Sequence, residues 1–250
     1  MNSNVLVDTH AHLDLLYHPI EEAIRARENG VKYIVGVSMG IASANRIQEL
    51  TFRLPDLILP AVGLHPWNIA QEDPEDCLRF VQDSLDHAVA LGEVGLDYRI
   101  KTPKSLQKEV LMRQLMMAAA RDLPVLLHCR FSHARVLEMA REAGIRRAIF
   151  HWYSGPADVL MNIIQEGYFI SATPAVKYST KHRDAVSLTP LTNLVLETDC
   201  PVEYSGVESR PADVVEVCQE VAFLKAVSFG EAAATTTENA LKIFGGRLII

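Results

Sequence analysis

The chain has 250 residues, of which 49% are hydrophobic and 22% are charged. This composition supplies enough apolar side chains for a large core and excludes an intrinsically disordered chain. The longest apolar stretches are well short of about 18 residues, which excludes a membrane-spanning helix. The net charge of −7 argues against a generally basic surface that wraps nucleic acid, although bound cations can still attract a phosphate-bearing substrate to one place.

Cysteine usage and the N-terminus predict the compartment in which the chain works. Its four cysteines form no CxxC pair, which is typical of a reduced protein rather than of a disulfide-linked secreted one. Residues 1–4 show neither the basic patch nor the apolar segment of a secretory signal. We therefore expect a cytoplasmic protein with one barrel domain, residues 1–250, and the sequence indicates no protein partner.

Short apolar runs alternate with longer segments of helical periodicity along the chain. The runs cover residues 5–7, 33–37, 57–62, 88–91, 124–127, 148–150, 168–170 and 194–196. The helical segments include 105–121, 132–143 and 211–224, and the segment 229–244 predicts an additional C-terminal helix. Strands that are apolar throughout are typical of a parallel sheet covered by helices. Eight such repeats predict an α/β fold, a (β/α)8 TIM barrel, with an open doubly wound sheet as the alternative.

Side chains suited to chemistry follow six of the eight apolar runs. His10 and His12 follow the first run and His65 the third, and the remaining positions are Glu93 with Asp97, His128 with Arg130, His151, and Glu197 with Asp199. In a barrel, the carboxyl ends of all strands surround one mouth, where catalysis takes place. We therefore expect these side chains to converge.

The converging residues favour a metal site. A single histidine after a strand is more often a hydrogen-bonded structural residue than a ligand, but many buried imidazoles and carboxylates together are poorly satisfied without a cation. Nitrogen and oxygen donors without thiolate suit Zn²⁺, Mn²⁺ or Mg²⁺. The candidate ligands are His10, His12, Glu93, His128, His151 and Asp199. Six ligands are too many for a single catalytic ion that keeps a coordination position open for water. They therefore predict two divalent cations that share a carboxylate.

The remaining histidines and two cysteines are interpreted as structural. His18, His87, His133 and His182 lie in helical or loop segments, and we expect them on the surface. Cys129 and Cys200 adjoin candidate ligands but are one position out of phase with the inward-facing residues. We interpret both as small buried side chains.

A second pattern, Gly36-Val37-Ser38-Met39-Gly40, matches the Gly-x-Ser-x-Gly nucleophile elbow of serine hydrolases. It lies between a strand and a predicted helix, as an elbow does. The alternative is that Ser38 caps the following helix and that the glycines permit a tight turn. A serine hydrolase would leave the converging histidines and Glu93 unexplained, and it would resist chelators, whereas a metal enzyme would not.

Several segments, taken in chain order, resemble the signature blocks of TatD-type metal-dependent hydrolases, also called TatD deoxyribonucleases, within the amidohydrolase-like barrels. These segments are Asp8-Thr9-His10-Ala11-His12-Leu13-Asp14, Gly63-Leu64-His65-Pro66, Gly92-Glu93-Val94-Gly95-Leu96-Asp97-Tyr98, Pro124-Val125-Leu126-Leu127-His128-Cys129-Arg130, His151-Trp152-Tyr153-Ser154-Gly155 and Glu197-Thr198-Asp199-Cys200-Pro201. The resemblance runs from residue 5 to about 245. The chain departs from the family pattern after Pro201, in a loop expected to shape the substrate mouth.

The resemblance implies a role for each matched residue. His10, His12 and Asp199 would hold one metal, Glu93 would bridge the two ions, and His128 and His151 would complete the second site. His65 corresponds to a histidine close to the substrate, which contacts phosphate or a further ion.

The expected activity is cleavage of phosphodiester bonds in DNA by a metal-activated water. Asp199 is placed to accept the proton of that water, and Arg130 is expected to pair with phosphate or to form a salt bridge behind the ligands. Asp97 and Glu197 are expected to orient ligands. The alternative activity is metal-dependent hydrolysis of an ester or amide, as in an aminoacyl-tRNA deacylase. A third interpretation, in which the metals only brace the barrel, predicts fully saturated coordination.

Overall fold

The computed structural model of the chain describes residues 5–245. Residues 1–4, on which the expectation about secretion depends, and residues 246–250 lie outside the described part. The barrel strands are β1 (Leu6–Ala11), β2 (Val31–Val37), β3 (Ile58–Val62), β4 (Ala90–Asp97), β5 (Val125–Arg130), β6 (Ala148–Phe150), β7 (Phe169–Ala172) and β8 (Leu194–Leu196).

Helices connect successive strands and two further helices end the described chain. They are α1 (Pro19–Glu28), α2 (Ile41–Arg53), α3 (Pro74–Ser84), α4 (Lys104–Ala120), α5 (His133–Glu142), α6 (Ala157–Gln165), α7 (Thr180–Leu188), α8 (Val214–Lys225) and α9 (Phe229–Phe244). A small hairpin of β9 (Glu203–Tyr204) and β10 (Val207–Glu208) lies between β8 and α8. None of the helices in the described range is long and apolar enough to cross a membrane.

The eight strands form one sheet in chain order, and each bonded pair is parallel. The first strand also reaches the last. The Thr9 hydroxyl donates to the carbonyl oxygen of Leu196 at 3.0 Å, and the backbone N–H of Asp199 donates to the carbonyl oxygen of His10. A doubly wound sheet has a different strand order. The predicted (β/α)8 barrel is therefore confirmed, and the open-sheet alternative is wrong.

Helix α9 covers the barrel at the end where the strands begin. The Thr237 hydroxyl donates to the carbonyl oxygen of Val5, and the Asn239 amide donates to that of Leu194, the first residue of β8. Ile243 and Phe244 pack in one apolar cluster with inner residues of the strands. The predicted C-terminal helix is thus confirmed, and it closes the end opposite to the predicted mouth.

Four strands continue beyond the apolar runs that predict them, β7 by two residues and three others by more. β1 extends through Ala11, β4 through Asp97 and β5 through Arg130. His10, Glu93 and His128 therefore lie within strands rather than after them. Backbone hydrogen bonds to neighbouring segments hold these residues in place, and this fixes where their polar side chains begin.

The prediction that the four remaining histidines lie on the surface is correct for two of them and wrong for the other two. His18 and His87 are exposed, but His133 is half-buried and His182 is fully buried. His182 is buried because its ring joins two backbone segments: Nδ1 donates to the carbonyl oxygen of Tyr153 at 2.8 Å, and Nε2 accepts from the N–H of Thr173 at 3.1 Å. Cys200 is buried, Cys129 is partly buried, and both are free thiols.

Candidate metal centre

The six candidate ligands converge at the mouth of the barrel. We call His10, His12, Glu93, His128, His151 and Asp199 the donor cluster. β1 carries His10 and is followed directly by His12, while β4 and β5 carry Glu93 and His128. His151 is the first residue after β6, and Asp199 follows β8 with a positive φ of 52°. Apart from His128, which is slightly exposed, all members are buried.

Glu93 lies at the centre of the donor cluster, and each of its two carboxylate oxygens faces a different pair of histidines. Its Oε2 lies 3.3 Å from Nε2 of His12 and 3.4 Å from Nε2 of His10. Its Oε1 lies 2.8 Å from Nδ1 of His128 and 2.9 Å from Nε2 of His151. A carboxylate so placed has one oxygen available to each of two cations.

Asp199 completes the side of His10 and His12. Its Oδ1 lies 3.6 Å from Nε2 of His10 and 3.5 Å from Nε2 of His12. The rings of His10 and His151 stack with centroids 4.3 Å apart, so the two sides of the donor cluster adjoin. His10, His12 and Glu93 form one group whose donor atoms all lie within 4.8 Å of one another, and His10, His151 and Asp199 form another.

The donor cluster fits divalent cations on three observations. Both ring nitrogens of His10 lack a hydrogen-bond partner although the residue is only 1% exposed, a state that is costly unless another group binds them. Burial lowers the pKa of His12, but hydrogen bonds to Asp199 and Glu93 outweigh it and raise the pKa to about 10. The carboxylates thus attract positive charge into the site. Imidazole nitrogen and carboxylate oxygen are ligands that Zn²⁺ and Mn²⁺ accept.

Two buried carboxylates lie behind the histidines, as expected from the sequence. Asp97 Oδ2 lies 3.5 Å from Nε2 of His128, and Glu197 Oε1 lies 3.4 Å from Nδ1 of His151. Burial opposes ionisation of Asp97, but hydrogen bonds from His128 and Trp67 outweigh it and lower the pKa of this carboxyl. Carboxylates in such positions orient the rings of ligating histidines.

His65 reaches Glu93 but differs from the members of the donor cluster. Its Nε2 lies 3.5 Å from Oε1 of Glu93, and its Nδ1 accepts a hydrogen bond from the backbone N–H of Trp67 at 3.2 Å. In the neutral ring, the proton therefore sits on Nε2. Burial lowers the pKa of His65 to about 4, so the ring is neutral at pH 7 and directs an N–H into the site.

A cavity of about 1500 Å³ opens above the donor cluster. Arg130, at the end of β5, is exposed in its wall and has no carboxylate within 4.0 Å among the described residues. The salt-bridge interpretation of Arg130 is therefore wrong, and its guanidinium is available to a ligand. Trp67 also lines the cavity, which was not predicted. Its only signal in the sequence is that it is an aromatic residue two positions after His65.

Ser38 does not have the surroundings of a nucleophile. Its side chain is fully buried in the barrel, where Oγ accepts from the N–H of Gly63 at 3.1 Å and donates to the carbonyl oxygen of Gly63. It also does not cap helix α2, because Gly40 occupies the N-cap position. Both interpretations of Ser38 are wrong, since its hydroxyl joins two neighbouring strand ends.

Comparison with known proteins identifies relatives along nearly the whole chain. A family model described as TatD related DNase matches residues 7–245, a range that contains the whole donor cluster. The uncharacterized metal-dependent hydrolase YabD of Bacillus subtilis is 34% identical over 254 residues, which span 96% of this chain and 99% of that protein. The human deoxyribonuclease TATDN3 is 29% identical over 258 residues, spanning 96% of this chain and 94% of that protein.

The solved structures show the same barrel. The crystal structure of YjjV, a TatD homologue from Escherichia coli, superposes with a TM-score of 0.89 at 28% identity, and the match covers 97% of this chain and 98% of that one. The likeness therefore includes the strands and loops that carry the donor cluster.

Proposed function

The chain belongs to the TatD-related DNase family of metal-dependent hydrolases, and from this membership we propose that it hydrolyses phosphodiester bonds in DNA with two divalent cations, Zn²⁺, Mn²⁺ or Mg²⁺. The observation that carries the proposal is the placement of Glu93, whose two oxygens face two separate sets of histidines. One barrel domain, residues 1–250, would carry the whole activity. The deoxyribonuclease name of the human relative supports DNA as the substrate.

The donor cluster would divide between the two ions. His10, His12 and Asp199 would hold the first, His128 and His151 the second, and Glu93 both. When bound, the two cations supply Lewis acidity, which makes a water nucleophilic at neutral pH and stabilises negative charge on a phosphoryl oxygen. The protein holds the ligands in strands or shortly after them, at the cavity.

The side chains around the ions perform the remaining steps. Asp199 accepts a proton from the attacking water, whose oxygen bonds to phosphorus while the phosphorus–oxygen bond to the leaving sugar breaks. The proton then passes to the leaving oxygen. His65 donates its Nε2–H to a phosphate oxygen, and the hydrogen bond from Trp67 to Nδ1 supports this direction of donation. Arg130 pairs with a phosphate oxygen from the wall of the cavity.

The test is hydrolysis by the metal-stripped and the metal-reconstituted protein. Single-stranded DNA, duplex DNA, a carboxyl ester and an aminoacyl-tRNA are assayed with each of the three cations. We expect DNA cleavage to disappear on stripping and to return on reconstitution, while circular dichroism shows that the barrel persists.

Two outcomes would contradict the proposal in different ways. Cleavage of the carboxyl ester or aminoacyl-tRNA, with DNA left intact, would favour the metal-dependent ester hydrolase. Cleavage of DNA by the stripped protein would exclude a role of the cations in the reaction.

A further inference from the structure

Trp67 presents its ring to the cavity and its polar atom to the protein. The indole Nε1–H donates to Oδ2 of Asp97 at 2.7 Å, while the side chain lines the cavity and the residue is 44% exposed. A tryptophan at a protein surface usually buries its ring and leaves the N–H to water. In Trp67 the orientation is the opposite, so the apolar ring is accessible to a ligand. Because the indole N–H is already bound by Asp97, the ligand does not have to accept a hydrogen bond from it.

The ring is fixed next to the place where the phosphate is proposed to bind. Its centroid lies 5.0 Å from that of His65, with the two planes at 88°, and 6.1 Å from that of His128. The backbone of Trp67 is also held, because its N–H donates to His65 and its carbonyl oxygen accepts from the Gln71 amide. Such a ring loses little conformational entropy when a ligand stacks on it.

Three more aromatic residues besides the histidines line the same cavity, and two of them, Tyr98 and Phe131, each have a cation against the ring. The Arg99 guanidinium lies 5.9 Å from the centroid of Phe131, which is 71% exposed, and the Lys104 ammonium lies 4.4 Å from that of Tyr98. Aromatic rings interleaved with basic groups are typical of sites that bind the bases and the phosphates of nucleic acids. The cavity itself is lined by three basic side chains, Arg130, Arg135 and Lys181, and by three carboxylates, Glu93, Asp184 and Asp199.

We propose that Trp67 is a stacking surface for the base of the nucleotide whose phosphate lies at the donor cluster. This inference rests on the proposed function and names a specificity-determining residue for it. The ligand class is a planar heteroaromatic ring joined through a sugar to a phosphate. The competing explanation is structural, namely that Trp67 only holds Asp97 behind His128.

The experiment compares two ligands that differ only in the base. Deoxyadenosine monophosphate and its abasic analogue, in which hydrogen replaces the base, are titrated calorimetrically into the metal-loaded protein. Because the base stacks on the ring, the nucleotide should bind about tenfold more tightly than the abasic analogue. Metal content per chain is measured on every sample.

Two substitutions separate stacking from the structural role. Trp67→Phe keeps an aromatic ring and removes the indole N–H, so most of the preference for the base should remain. Trp67→Leu keeps an apolar side chain and removes the ring, so the preference should fall to about twofold or less. A purely structural role predicts that both substitutions weaken the two ligands equally. Phe223→Leu, at an exposed aromatic residue on α8, is the control and should change neither affinity.

The outcomes distinguish this inference from the proposed function. An unchanged preference for the base in Trp67→Leu, or equal affinities for the two ligands in the unmodified protein, would overturn the stacking role and leave the nuclease proposal standing. Failure of the metal-loaded protein to bind either ligand would contradict both.

Discussion

Asp8 and Thr198 are joined by two hydrogen bonds although they are separated by 190 residues of sequence. The Thr198 hydroxyl donates to Oδ2 of Asp8 at 2.6 Å, and the Thr198 N–H donates to Oδ1 at 2.9 Å. The Asp8 carboxyl is fully buried, and burial raises its pKa well above the ordinary value despite these bonds. This contact closes the barrel and lies beside two members of the donor cluster, His10 and Asp199.

We expect Thr198→Val to lower the free energy of unfolding by about 1–3 kcal/mol, because one oxygen of the buried Asp8 loses its donor while the shape is kept. Urea unfolding of the metal-free protein measures the difference. Thr192→Val, at an exposed position, is the matched control and should stay within about 0.5 kcal/mol. Equal stabilities of the two variants would contradict the importance of this contact.

Glu93→Gln and Asp199→Asn are expected to fail in different ways. Glu93→Gln keeps the shape but removes the charge shared between the two sides, so metal occupancy should fall at both positions. Asp199→Asn should keep at least one metal, while the hydrolysis rate falls by about 10²–10⁴, as for loss of general acid–base catalysis. Metal content per chain and the rate are measured under identical conditions. Two retained metals and a near-full rate in Glu93→Gln would show that the bridging role is wrong.

Ser38→Ala should leave turnover near normal and lower stability. The substitution removes two hydrogen bonds and leaves the backbone N–H of Gly63 without its partner, at a cost of about 1–3 kcal/mol. Initial rates of the metal-loaded variant and its urea midpoint test the two parts of this prediction. A rate lower by several orders of magnitude in a folded, metal-loaded variant would restore the serine mechanism.

Metal binding should release protons at neutral pH. In the metal-free protein, hydrogen bonds to Asp199 and Glu93 overcome burial and raise the pKa of His12 to about 10, so its ring is charged at pH 7. The stability that this raised pKa contributes is fully present below about 6.5 and is lost as the pH rises through about 10. A cation needs the neutral ring, so its apparent affinity should increase with pH across this interval.

Calorimetric titration of the metal-stripped protein in two buffers of different ionisation enthalpy measures the protons released. We expect at least about one per chain at pH 7.5, since the ligating histidine must lose its proton. His18→Gln, at an exposed histidine that is not a member of the donor cluster, should leave this value unchanged. If the cation bound without proton release, the His12 ring would already be neutral in the metal-free protein at this pH.

The sequence predicts the position of each strand well because most residues of a barrel strand are buried on both faces, which gives each strand a run of apolar residues. It predicts their ends poorly at β1, β4 and β5. There the backbone ladder continues while the side chains become polar, so a criterion based on apolarity stops at Val7, Leu91 and Leu127, before the ligands on these strands.

The convergence of the donor cluster follows from the barrel rule that strand ends meet at one mouth. The burial of His182 does not follow from any local pattern, because its partners, Tyr153 and Thr173, come from other segments. The orientation of the Trp67 indole is likewise set by Asp97, the last residue of β4, which accepts its N–H. Contacts of this kind depend on the assembled fold.

The closure of the barrel by Asp8 and Thr198 also bears on the order of events during synthesis. Members of the donor cluster come from the first strand and from the segment after the last one, about 190 residues later. A ribosome-bound chain that lacks β8 has neither Asp199 nor the contact that seals β1. The complete donor cluster would therefore form only late in translation, and prematurely terminated fragments would lack its last member, Asp199.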